Sequence, residues 1–169
     1  MTGPATIVRT TALSLGEWRV STDPEELLAC IGLGSCIALV AWDPDARIAG
    51  MSHMVLPDSS QGRESAAAPA KFVDTAIPLV VNTMTARGAR RDRLRIHLVG
   101  GARMLQGVQR ANPMNIGERN TIAARAAVRA LGLRVHAEAT GGGHGRTVRV
   151  SVADGSMMIS SPGTPSVAA

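Results

Sequence analysis

Two apolar runs meet at a turn early in the chain, and few folds accommodate that arrangement. Residues 36–42 read Cys-Ile-Ala-Leu-Val-Ala-Trp, residues 43–46 read Asp-Pro-Asp-Ala, and a second apolar stretch runs from Arg47 to Leu56 and stops at Pro57. Apolar runs of this length around an Asp-Pro turn read as a β-hairpin. Upstream, Leu13, Leu15, Trp18 and Val20 around Gly16 suggest a short strand pair within Thr10–Ser21.

Downstream, the punctuation alternates between helix and strand. Ser59–Pro69 is small and polar, a loop. Phe72, Ala76, Leu79, Val80 and Met84 recur at helical spacing, Gly88 stands where a C-terminal cap belongs, and Pro78 should kink or split the helix. Leu94–Val99 reads as a strand leading into Gly100-Gly101. Glu118–Leu131 reads as a helix with Ile122, Ala126 and Leu131 on one face and Gly132 just beyond it. Leu133–Ala139 alternates as a strand, and Asp154-Gly155 joins strands at Thr147–Val152 and Met157–Ser160. The sum is an α/β (α+β) domain: a mixed, largely antiparallel sheet with two main helices packed on it. One domain is expected over residues 8–160, with residues 1–7 and 161–169 as loose termini.

Composition narrows the function classes. Of 169 residues, 45% are hydrophobic and 18% charged, which fits a globular chain and argues against disorder. No apolar run approaches the roughly 20 residues that span a bilayer, and the first residues lack a signal-peptide pattern. The expected location is therefore the cytoplasm, without membrane insertion. The net charge of +5 is nearly all arginine, Lys71 being the only lysine. With no Tyr, one Phe and two Trp there are few rings on which bases can stack, so nucleic acid is not an expected partner. Arg87, Arg90, Arg91, Arg93 and Arg95 read as a solvated face, with a docking patch for an acidic protein as the second reading.

Chemistry centres on Gly32-Leu-Gly-Ser-Cys36, which puts a thiol where a glycine-containing turn enters an apolar strand. Such a thiol can be reached from outside while turn N–H groups near Ser35 and Cys36 face an incoming oxygen; the other reading is a buried structural cysteine. His53 lies on the returning strand. If residues 43–46 form a four-residue loop, Cys36 stands opposite His53; if the loop has five residues, Cys36 faces Met54 and His53 turns away. A thiol beside an imidazole suits acyl transfer from an amide, through thiolate attack, an oxyanion on backbone N–H groups and a thioester. No metal or cofactor is expected, because Cys30 and Cys36 are not at zinc-ligand spacing and no paired histidines complete a site. His97, His136 and His144 are read as ordinary strand or loop histidines. Gly141-Gly-Gly-His-Gly-Arg146 matches neither a phosphate loop nor a dinucleotide fingerprint, and reads as a tight turn bringing backbone close to a neighbour.

In order and spacing, several blocks together resemble the CheD-type chemoreceptor glutamine deamidases. They are Gly32–Cys36, Trp42-Asp-Pro44, Gly50-Met-Ser-His53, Leu56-Pro57, Ala70-Lys-Phe-Val-Asp74, Ala76-Ile-Pro78, Gly100-Gly-Ala-Arg-Met104, Asn115-Ile-Gly-Glu-Arg-Asn120, Gly141-Gly142, Gly145-Arg146 and Asp154-Gly155. The resemblance covers roughly residues 10–160. It implies an α/β sandwich shared with deamidating toxins and hydrolysis of receptor glutamines to glutamate on cytoplasmic helices. It also implies a nucleophile at Cys36, a histidine at His53 and, in some members, a CheC-type phosphatase partner. Cys30 stands where the family usually carries a threonine that supports the histidine, and Ala139 where it often has Asp. The replacement at Cys30 leaves a non-catalytic adaptor as the alternative reading.

Overall fold

Strand β4 (Ile37–Asp43) is buried at all but one of its positions, because a strand apolar from Ile37 through Trp42 must be covered on both faces. In the computed structural model, which describes residues 8–60, 67–104 and 115–168, β4 lies at the centre of three layers. Ile37, Leu39 and Ala41 face a core shared with helices α1 (Val73–Ala86) and α2 (Ile116–Ala130). Ala38 and Val40 face a second core, shared with Leu28 and Leu33 of β3 (Glu26–Leu33) and Val148 and Val150 of β8 (Arg146–Ser151).

The layer holding β4 also contains β2 (Trp18–Ser21), β5 (Ile48–Met54), β6 (Arg95–Gly100) and β7 (Ala137–Thr140), in the order β2-β5-β4-β6-β7. The other sheet runs β1-β3-β8-β9-β10, with β1 at Arg9–Ala12, β9 at Met157–Ser161 and β10 at Thr164–Ala168. Among the named strands of the described residues, only β1/β3 and β6/β7 pair in parallel. The expected α+β class is therefore observed, with two mixed sheets where one was expected.

Several local expectations change under tertiary contacts. β1 and β2, read as a strand pair, belong to different sheets. The Leu13 N–H continues the pairing with β3 by bonding Ala29, whereas Gly16 and Glu17 exchange bonds with His53 and open the pairing of β2 with β5. The β4–β5 hairpin adopts neither weighed register: Asp43 pairs with Ile48 and Ala38 with His53. Asp43 Oδ1 accepts the N–H groups of Asp45 and Ala46, and Arg47 takes φ 52°, so the loop shifts to 44–47. Pro78 does not split α1, and Gly88 terminates it at φ 105°. The helix packs so close to β5 that a Cβ at Gly50 would stand 2.6 Å from the Met84 sulfur and the Val80 methyl. The buried face of α2 is Gly117, Asn120, Thr121, Ala124 and Val128, not the one containing Ile122, which is exposed. β7 begins at Ala137, not Leu133, and Thr164–Ala168, read as part of a loose end, pairs with β9. Residues 1–7 lie outside the described residues.

One buried charge ties the amino-terminal strands together. Glu26 accepts from Thr11, Arg19 and Ser21. Burial pushes its carboxyl up, but the hydrogen bonds from Arg19, Ser21 and Thr11 outweigh that and hold it at about 2, against an ordinary value of 4.5. A depressed carboxylate stabilises the fold in full above the unfolded value and is lost as pH falls toward the folded one. We therefore predict that Glu26→Gln lowers stability by about 3 kcal/mol near neutrality. The difference from the parent should shrink between about pH 4.5 and 2, as read by denaturant titrations across that range.

Candidate active site

His53 is held at three points by the crossover between β1 and β2. Its N–H donates to the Glu17 carbonyl (2.9 Å), its carbonyl accepts from the Gly16 N–H (2.8 Å), and its ring Nδ1 lies 3.0 Å from the Leu13 carbonyl oxygen. A carbonyl can only accept, so Nδ1 carries the ring proton and Nε2 keeps a lone pair. His53 is 4% exposed, and its Nε2 has no partner among the described residues.

Cys36 reaches the same face by an even register shift. The Gly101 N–H donates to the Cys36 carbonyl (2.8 Å), so the β4–β6 ladder extends one residue past Ile37↔Gly100. Continuing the β4–β5 register puts Cys36 level with Val55, two residues along from the Ala38↔His53 pair. The slip from the first sequence register is two residues, which preserves the face. Cys36 and His53 are thus diagonal neighbours on the side of the sheet turned toward β3 and β8, a spacing of roughly 7–8 Å between backbones that side chains can close. The half-buried thiol is pushed above its ordinary value by burial, with its own amide opposing. A cysteine of this kind is mostly protonated at neutral pH and needs a base to become a nucleophile.

The loop carrying Cys36 is clamped by a buried amide that sequence reading missed. Asn120 Nδ2 donates to the carbonyls of both Ser35 and Val55, each at 2.9 Å, and so joins the thiol loop to the residue two past His53. The approach is close enough to require glycine: a Cβ at Gly100 (φ 117°) would stand 2.3 Å from the Cys36 carbonyl, and one at Gly117 2.5 Å from the Ala102 carbonyl. The detectable signal was the spacing of Gly117, Asn120, Thr121, Ala124 and Val128, a small and polar stripe where a helix normally presents apolar residues.

The remaining candidates separate. Ser35 sits in the clamped loop, half-buried, and contributes its carbonyl to Asn120. Cys30 is fully buried in the inter-sheet core, where burial first and the neighbouring Cys36 second push its thiol up to about 12. Among the described residues it makes no bond to His53, whose Nδ1 is occupied by Leu13. The glycine loop does approach a neighbour: the Arg103 N–H donates to Gly142, the Gly141 N–H to Gly100, and Arg146 Nη1 to Gly141. His144 is exposed on that loop, while His97 and His136 lie on or beside β6 and β7.

Fold and site together define a three-layer α+β domain presenting a thiol and a tautomer-fixed imidazole on one sheet face. The chain belongs to the CheD family: the family model described as CheD chemotactic sensory transduction matches residues 55–161. A Symbiobacterium thermophilum protein is 44% identical over 156 residues, covering 92% of this chain and 94% of its own length. A Solibacter usitatus protein is 40% identical (89% and 88% covered), and one from Methanococcus maripaludis 37% (87% and 92%). All three carry the name probable chemoreceptor glutamine deamidase CheD. The family-model match starts after Cys36 and His53, whereas these relatives cover nearly the whole chain.

Two predictions follow from burial and the clamp. A small alkylating reagent should label Cys36 in the native protein and reach Cys30 only on unfolding, as peptide mapping would reveal. Asn120→Leu removes both donors and leaves two carbonyls unpaired, so chemical denaturation should register a loss of about 3 kcal/mol.

Proposed function

We propose that this chain, over residues 8–160, hydrolyses selected glutamine side chains on the cytoplasmic helices of chemoreceptors, with Cys36 as nucleophile and His53 as base and acid. The names of its relatives supply the substrate class. The observation that carries the mechanism is the bond from His53 Nδ1 to the Leu13 carbonyl, which leaves Nε2 basic on the face it shares with Cys36.

In this mechanism Nε2 takes the thiol proton as sulfur attacks the carboxamide carbon. The carbonyl π electrons move to oxygen, which is received by backbone N–H groups near Ser35 and Cys36. Collapse of the tetrahedral adduct breaks the C–N bond. The imidazolium supplies the proton with which ammonia departs, leaving a thioester. Nε2 then activates water against the thioester, which releases glutamate and returns the thiol. The elevated thiol value fits this order of events: proton transfer accompanies attack, with no standing thiolate. The supporting role that the family assigns to a threonine passes to the Leu13 carbonyl, so Cys30 is left as packing.

Each turnover converts a neutral side chain into a carboxylate on a receptor helix, a change that shifts helix–helix packing. We place the protein in the cytoplasm with those helices; among the described residues no helix is long and apolar enough to cross a membrane. A CheC-type phosphatase is the proposed protein partner. Mass spectrometry of receptor fragments incubated with the protein should show amide-to-acid conversion at particular glutamines. Cys36→Ala should abolish the conversion and His53→Ala slow it by about 10²–10⁴-fold; conversion undiminished in Cys36→Ala would sink the mechanism.

A further inference from the structure

At the end of the sandwich away from Cys36, the β8–β9 turn faces the Trp42 end of β4 across a cleft of about 510 Å³. Val40, Val150 and Met157 form its apolar wall, and Trp42, Arg95, His97 and His136 add polar edges. Register aligns Arg95 with Trp42 and His97 with Val40, and both side chains share the inter-sheet face with Val99, two residues further on. The Arg95 guanidinium carbon lies 5.7 Å from the Trp42 ring centre. A Cβ at Gly155 would stand 2.2 Å from that ring, so the turn requires glycine to close over it.

The lining residues give the cleft its chemistry. Within the arginine run, Arg87 donates to the Val20 carbonyl, Arg90 to Asp92, Arg91 to Asn82, and Arg93 to Asp43 and Asp45. Arg95 alone of the five has no oxygen acceptor among the described residues. His136 Nδ1 accepts the Ile96 N–H at 3.1 Å, which places the proton of the neutral ring on Nε2 and makes that edge a donor. Trp42 Nε1 and His97 Nδ1 are buried without a partner among the described residues, a costly condition for polar atoms. Asp154, the one carboxylate on the lining, is turned back into its own hairpin, where it accepts the Ser156 N–H at 2.9 Å. Burial first, then the charges of His136 and Arg95, hold the His97 imidazole below its ordinary value, as befits a site short of negative charge.

We propose that this cleft binds a small organic anion, its acid group on Arg95, His97 and His136 and its apolar body against Val40, Val150 and Met157. The site is separate from Cys36 and does not depend on the proposed deamidase activity. Benzoate and its neutral isostere benzamide test it, with binding followed by NMR at the Trp42 indole N–H and the His97 and His136 rings. Benzoate should shift these resonances saturably. Benzamide, and benzoate with Arg95→Gln, should bind about ten- to a hundredfold more weakly, the effect of losing a charge-assisted hydrogen bond. The thermal melt of Arg95→Gln should stay close to the parent's, since among the described residues the exposed guanidinium has no hydrogen-bonded acceptor to lose. Absence of any shift, equal affinity for benzoate and benzamide, or undiminished benzoate binding by a normally melting Arg95→Gln would each overturn the proposal.

Discussion

The amide of Asn120 is the constraint on which the candidate site rests. It sits on the buried face of a helix, where apolar side chains are the rule, and spends both donors on the carbonyls of Ser35 and Val55. Those carbonyls belong to segments that reach the sheet from different directions, one entering β4 and the other leaving β5. Without a donor between them, each would be a buried acceptor with no bond. The glycines at 100, 101 and 117 follow from the same geometry. Helix and strand end must come close enough for a short side chain to bridge them, and a Cβ at any of the three positions would strike backbone or, at Gly101, the Thr121 hydroxyl.

What could be read from the sequence was whatever is decided over a few residues. The Asp-Pro hairpin, the glycine terminating α1, the helix around residues 118–131 and the Asp154-Gly155 turn each carry their own signal, and each forms, the hairpin with its loop one residue further along. Cys36 and His53 stood out for the same reason, as reactive side chains on two arms of one hairpin. The misread features depend on distant partners. The hairpin register moved because Asp43 closes the loop with its own carboxylate while also receiving the Arg90 N–H and Arg93. The face of α2 was misassigned because Asn120 and Thr121 are buried for their hydrogen bonds, which an apolar count ranks last. Leu13 was beyond any side-chain reading, because its contribution to the imidazole is a backbone oxygen.

The arginines show how one composition serves several ends. A net charge of +5 suggests a basic patch, but within the 87–95 run most guanidiniums are bonded to other groups of the chain. Arg93 neutralises the buried Asp43, and Arg87 caps the end of β2 through the Val20 carbonyl. Side chains that looked like a solvated face are partly the fastening of a turn and a strand end. Arg95, which among the described residues has the Trp42 ring but no oxygen acceptor, is conspicuous for that reason.

The crossover at residues 13–17 links the two sheets and, through Leu13, fixes which nitrogen of His53 holds the proton. Displacing the end of the first strand therefore displaces the oxygen that orients an acid–base group in another layer. β1 and β10 are the two outer strands of one sheet, and of the two only β1 runs into that crossover. For preparative work on this protein, attachments belong at the carboxyl end.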